Sequence, residues 1–464
     1  MITTTTTRPQ NPTADSAAWA RFRAHAATTP GRLQLYTGTI SLLAIFIWMV
    51  VQWGLTSTTH IVQTVGKDSV PSIIAAQKIR SGLADMDANA ANAYLGTGSQ
   101  VAAALKAFDD DRGKVTDALV SAAQNITYVS EERPPIVQMT DGVQVYAGLV
   151  QTARLKGYPA GLPDLRLASK LLHEQLLPAA EKLDQVNYSH LDAEYTGGKW
   201  RIDIAITALI LSGLGLLALM GFIQFDVCRR FHRLLNVPLL AATAVVMLYL
   251  GGVCVALMHT SDSLRTAKTD AFDSVHALWK ARAIANDANG DESFYLLENG
   301  KPDVQAQYQE SFFRKSNEIV AGELTEAQVG AAEQKQVTFG GMLATELKNV
   351  TFEGEQEAAF STLKGYKAYR DIDTKIRALE TAGRHREAID LCIGTKEGES
   401  NWAFDQFDTS LGKTLEINQT QFDQEVESMF AALRWLPYLA PFATLAIIFL
   451  TAFGLQQRLR EYAF

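Results

Sequence analysis

Four stretches of the chain are apolar and free of charge: Leu35 to Leu55, Ile204 to Phe225, Val237 to Met258 and Leu436 to Leu455. Each holds about 20 residues, which at about 1.5 Å per residue crosses a hydrocarbon core of about 30 Å. A buried soluble helix of that length carries a polar stripe, and none of the four does. The pattern predicts four transmembrane helices. Between them the periodicity changes. Ala76, Ile79, Leu83, Met86, Ala90, Ala93 and Thr97 step by three and four, the seam of an amphipathic helix. Asp85, Asp87, Asn89 and Asn92 fall between, facing water or a neighbour.

Breakers at Gly96 to Gly98, Glu132-Arg133-Pro134-Pro135 and Gly157 to Pro163 divide the first intervening segment into helices near 58–96, 99–126, 135–156 and 164–199. The second divides near 260–298, 302–349 with an interruption at Gly322, 355–381, 384–393 and 400–432. Gly290 should weaken the first of these locally. Strand patterns are weak. The expected fold is all-α: four transmembrane helices with two extracytoplasmic helical-bundle domains in tandem. The first is a four-helix bundle; the second is either wetter or packed against the first. Expected boundaries are a disordered cytoplasmic tail at 1–34, spans at 35–55, 204–225, 237–258 and 436–455, external domains at 56–203 and 259–435, a loop at 226–236 and a tail at 456–464.

A duplication shows faintly. Lys78, Arg80, Asp85, Leu95 and Gly98 align without gaps on Lys280, Arg282, Asp287, Leu297 and Gly300. Val186-Asn187 and Leu191-Asp192 align on Ile417-Asn418 and Phe422-Asp423.

Charge orients the molecule. Arg8, Arg21, Arg23 and Arg32 lie before the first span, Arg229, Arg230 and Arg233 in the short central loop, and Arg458 and Arg460 after the last. Residues 57–200 hold 13 basic and 16 acidic residues, and 259–434 hold 19 and 30. The positive-inside rule places both termini and the central loop in the cytoplasm of a multi-pass plasma-membrane protein. A net charge of −8 with acidic domains argues against nucleic-acid binding.

Chemistry is sparse. The chain has no phosphate-binding glycine loop, zinc-protease helix or nucleophile elbow. Its eight histidines and three cysteines show no metal-ligand spacing, so neither cofactor nor metal is expected, and no catalytic residues. His385 reads as a solvated helix residue. Spans without Asp, Glu, Lys, Arg or His argue against a proton- or ion-coupled transporter. Asn-x-Ser/Thr triplets at Asn125, Asn187, Asn349 and Asn418 matter only if the host glycosylates. The extracytoplasmic residues that could bind a partner or small ligand are Lys78, Arg80, Asp85, Asp87, Lys280, Arg282 and Asp287; an ordinary charged helix face is the plainer reading. Arg229, Arg230 and Arg233 could dock a cytoplasmic partner or anionic lipid, although topology alone explains them.

Leu83-Ala84-Asp85-Met86-Asp87-Ala88-Asn89-Ala90-Ala91, Val145 to Arg154, Leu177-Pro178-Ala179-Ala180, Asn236 to Thr243 and the ending Arg458-Leu459-Arg460-Glu461-Tyr462 together resemble the actinobacterial GlnX-type membrane proteins. The resemblance runs from Thr29 to the end. It implies a non-enzymatic transducer, encoded with a GlnH-type amino-acid-binding lipoprotein and a PknG-type Ser/Thr kinase. The lipoprotein would sense aspartate or glutamate outside and the kinase would respond inside. A homo-oligomer is compatible with it. The bundles also resemble bacterial four-helix sensor domains. A direct small-ligand sensor and a structural or transporter subunit are the alternatives.

Overall fold

The computed structural model describes Arg23, residues 27–231 and residues 235–460. Among these the regular elements are helical. They are α1 (Thr29–Gln63), α2 (Val70–Leu95), α3 (Ser99–Gln124), α4 (Val129–Lys156), α5 (Leu162–Leu171), α6 (Leu177–Phe231), α7 (Val237–Arg265) and α8 (Asp273–Leu297), followed by α9 (Pro302–Ile319), α10 (Glu326–Glu333), α11 (Met342–Lys348), α12 (Glu355–Thr381), α13 (His385–Cys392), α14 (Ser400–Leu433) and α15 (Leu436–Arg460). Wide π-type turns at Thr64–Ser69, Leu172–Leu176 and Thr266–Phe272 join α1 to α2, α5 to α6 and α7 to α8 without ending the helical path. The chain forms two compact units, one drawn from Met1–His60, Gly198–Ser261 and Phe430–Phe464, the other from Ile61–Gly197 and Asp262–Met429.

Four helices are long and apolar enough to cross a membrane, which fits a multi-pass membrane protein, and their apolar stretches belong to the first unit. No more than a third of each apolar window is buried. Leu42, Leu211, Leu248 and Phe442 point outward, as lipid-facing side chains do, whereas Ile40, Leu209, Val246 and Ala440 pack inside. Polar contacts tie the helices at their ends. Asn236 Nδ2 donates to the carbonyl of Gly454 at 2.9 Å, and Tyr249 donates to that of Leu436 at 3.2 Å.

In the second unit both polar segments contribute to one hydrophobic core. It includes Leu83, Tyr146 and Leu176 from the first, and Phe312, Tyr369 and Phe407 from the second. The two meet along α2 and α8, which lie side by side and parallel: Ser81 is opposite Asn286, and Asn92 is opposite Ser293. Small residues permit the approach. A Cβ built on Gly290 would stand 3.6 to 3.8 Å from the backbone and Cβ of Ala88. α8 continues through Gly290, which lets α2 and α8 approach closely.

Several helix limits differ from the sequence reading: α1 begins at Thr29, inside the tail expected to be disordered, most of which lies outside the described residues, and α6 and α15 run on to Phe231 and Arg460. α4 begins at Val129 rather than 135, because the Glu132 carboxylate accepts from the backbone N–H groups of Thr127 and Tyr128 at 2.7 and 2.5 Å and organises the start ahead of the prolines. The interruption at Gly322 widens to residues 320–341, which carry the short helix α10.

The same loop device occurs twice. Asn125 Nδ2 reaches the Asp68 carbonyl and Ser72 Oγ at 2.7 and 2.8 Å. Asn349 Nδ2 reaches the Asp270 carbonyl and Ser274 Oγ at 3.3 and 3.0 Å. Glu355 caps Thr351 and Phe352 as Glu132 caps Thr127 and Tyr128. All four Asn-x-Ser/Thr asparagines use their amides inside the fold. Those of Asn187 and Asn418 are fully buried, which closes them to glycosylation.

Candidate functional site: a polar network between the two segments

The residues singled out from sequence lie on α2 and α8 where the polar segments meet. Asp87, 2% exposed, accepts from Tyr146 of α4 at 2.9 Å and from Ser169 of α5 at 2.7 Å. One helical turn beyond Ser169, His173 Nε2 lies 2.8 Å from Asp287 of α8. Asp287 also meets Lys315 of α9 at 2.9 Å, and Lys315 meets Asp291 at 2.6 Å. A chain of hydrogen bonds and ion pairs thus runs from the first segment into the second.

The electrostatics follow from the enclosure. Burial pushes the Asp87 carboxyl above its ordinary value, opposed by the His173 charge and the Ser169 and Tyr146 donors. Burial disfavours charge on His173, but the bond to Asp287 and the charges of Asp287 and Asp87 win and lift it to about 9. Burial opposes ionisation of Asp287 as well, yet Lys315 and His173 hold it well below the carboxylate range. Asp85 sits beside Asp111, with Asn89 Nδ2 donating to both at 3.2 and 3.0 Å. Burial and the Asp111 charge raise Asp85 well above its ordinary value.

The remaining residues also take partners within the unit. Arg80 pairs with Glu181 at 2.6 Å, and Lys280 approaches the same carboxylate at 3.9 Å. Arg282 pairs with Asp408 of α14 and stacks over Trp279. Lys78 is exposed, with its ammonium 6.0 Å from the Trp279 ring. Of the central arginines, Arg230 pairs with Asp226 at 2.9 Å and Arg229 is exposed; Arg233 lies outside the described residues. His385 is not merely solvated, since its Nδ1 lies 2.7 Å from Glu380.

Sequence reasoning did not pick out Tyr146, Ser169, His173, Lys315 or Glu181. Tyr146 carried a signal, as an aromatic inside the Val145 to Arg154 motif. The rest come from helices distant in the chain and carried none. Other buried polar groups lie nearby. Glu292, 1% exposed, accepts from Ser400 at 3.0 Å, and burial together with Asp373 raises it to about 8. Glu346 lies beside Glu355, with Asn418 Nδ2 donating to both; burial and the Glu355 charge raise it to about 8. No group of three or more metal-ligating side chains forms among the described residues.

Residues 61–196 match the family model of the actinobacterial sensor domain, a stretch that coincides with the first polar segment. No curated protein and no solved structure matches the chain. The fold fits a helical, multi-pass membrane protein, and the match gives it one region similar to a sensor domain.

Proposed function

We propose that the chain is a non-enzymatic transmembrane transducer. It relays extracellular aspartate or glutamate availability from a solute-binding lipoprotein to a cytoplasmic Ser/Thr kinase. The basic flanks of the four spans support a plasma-membrane orientation with both termini and the Arg229 to Arg233 loop inside. The observation that carries the reading is helical continuity: α6 runs unbroken from Leu177 to Phe231, from sensor-domain sequence through an apolar span to the central arginines. A continuous helix transmits translation or rotation with little loss, and a coupled unit needs two packed states rather than a soft hinge. The repeated caps at Asn125 and Asn349 support a tandem duplication, in which the polar network joins the two halves. A signal that shifts one half then acts on all four spans.

The test is reconstitution. Full-length protein in vesicles, with the lipoprotein outside and the kinase inside, should alter kinase phosphorylation when aspartate or glutamate is added outside. An unchanged phosphorylation level with all components present would remove the relay. Calorimetric binding of the amino acid to the full chain without the lipoprotein would replace it with direct sensing.

A further inference from the structure

The two polar segments differ where α3 has its counterpart. In the first segment α3 is one helix of 26 residues. In the second, α9 has 18 residues and α11 has 7, with residues 320–341 between them. Matching environments set the correspondence. Phe108 lies 6.2 Å from Tyr146, and Phe312 lies 6.2 Å from Tyr369; both tyrosines are 0% exposed. The register that matches Tyr146 with Tyr369 and Glu132 with Glu355 also sets Gln144 against Lys367 and Ala147 against Arg370.

In the second segment the inserted stretch covers that face. Lys367 pairs with Glu326 of α10 at 2.9 Å, Arg370 donates to the Gly322 carbonyl at 2.8 Å, and Leu324, Val329 and Ala332 are buried. In the first segment the corresponding face is a groove of about 710 Å³ between α3 and α4. Gly113 and Gly148 line it, and nothing stands within 4 Å of a Cβ built on either. Glycine within a helix costs about 1 kcal/mol relative to alanine, and no close contact among the described residues accounts for these two. Val120 and Val145, on the same two helices, are about half exposed.

We propose that this groove receives a helical segment of a second protein, lying where α10 lies in the other half. The insert indicates the occupant's chemistry: a short helix with small apolar side chains set against Gly113, Ala147 and Gly148, and a polar group meeting Gln144 where the other half has Lys367. Arg112 and Arg154 at the edges of the groove are already held by Asp109 and Gln151. The proposal rests on the relay reading in one respect, the need for a protein partner on this side of the membrane.

Photo-crosslinking tests it in the full-length protein in native membranes. Benzoylphenylalanine at Thr116 or Gln144, which line the groove, should yield an adduct with another protein; the same probe at exposed Lys106 of α3 should not. Gly148→Leu fills the groove and favours helix, so it should abolish the adduct without lowering the melting temperature. Adducts that survive the filled groove, adducts solely with a second copy of this chain, or no polypeptide adduct at Thr116 and Gln144 would each overturn the proposal. In the last case, a protein adduct from a probe at exposed Leu155 would leave the relay standing with another docking surface. No adduct at any of these positions would remove both readings.

Discussion

Lys315→Met probes the join between the two polar segments. Lys315 is 7% exposed and lies between Asp287 and Asp291. Methionine keeps the length and apolar volume of the side chain but removes the charge, leaving Asp291 without its cation and Asp287 with His173 alone. Breaking a buried ion pair by removing one partner costs about 3–5 kcal/mol. At about 2 °C per kcal/mol for a large unit, the melting temperature of the purified chain in detergent at pH 8 should fall by roughly 6–10 °C. The loss should shrink as pH is lowered. In the wild type Asp287 is depressed, so its contribution is present above its unfolded value and lost only as pH falls through the lower folded value. Without Lys315, Asp291, already raised in the wild type, rises further while Asp287 keeps His173, so stability returns as Asp291 takes up a proton at lower pH. Adding Asp287→Asn and Asp291→Asn should recover most of the loss. A shift under about 2 °C at pH 8, or a pH profile parallel to the wild type, would refute the assignment of these charges as a coupled cluster.

Other consequences are open to measurement. Gly290→Ala should be neutral or slightly stabilising, because a Cβ meets Ala88 at ordinary contact distance, whereas Gly290→Leu should force α2 and α8 apart and cost about 1–3 kcal/mol by thermal unfolding. Tyr146→Phe removes a donor to buried Asp87 and should cost about 1–3 kcal/mol; an equally stable variant would contradict that bond. His173, raised to about 9, contributes stability fully present below its unfolded value and lost as pH rises through 9. Glu346, raised to about 8, disfavours the native state increasingly as pH rises from about 4.5 towards 8. Both make the unit more stable at pH 6 than at pH 9, and Glu346→Gln should flatten the lower part of that slope in a melting series.

Much of the secondary structure was legible because its causes are local. Charge-free runs announce the apolar helices, and Gly96 to Gly98, Gly157 to Pro163 and the glycines near 300 and 322 mark the turns. The expected break near Gly322 is present, though its length depends on the packing of Leu324 and Val329, which no local pattern reveals. The joining network was half legible. Asp87, Asp287, Arg80 and Arg282 stand out as charges beside an apolar seam, but their partners His173, Lys315, Glu181 and Asp408 lie on other helices, tens of residues or more away. The four Asn-x-Ser/Thr asparagines read as modification signals in the sequence, whereas their amides bond backbone carbonyls, hydroxyls and, for Asn418, the Glu346 and Glu355 carboxylates. A loop-capping asparagine and a glycosylation acceptor look alike in sequence, since the difference lies in what surrounds the amide.

The proposed relay depends on mechanical continuity of α6, which an interrupted helix tests directly. Three glycines inserted after Gly197 interrupt the helix at the boundary between the two compact units. In vesicles with lipoprotein outside and kinase inside, the insertion should leave the melting temperature of the polar unit unchanged and abolish the response of kinase phosphorylation to external amino acid. A response of wild-type size from the interrupted helix would contradict transmission along an unbroken rod.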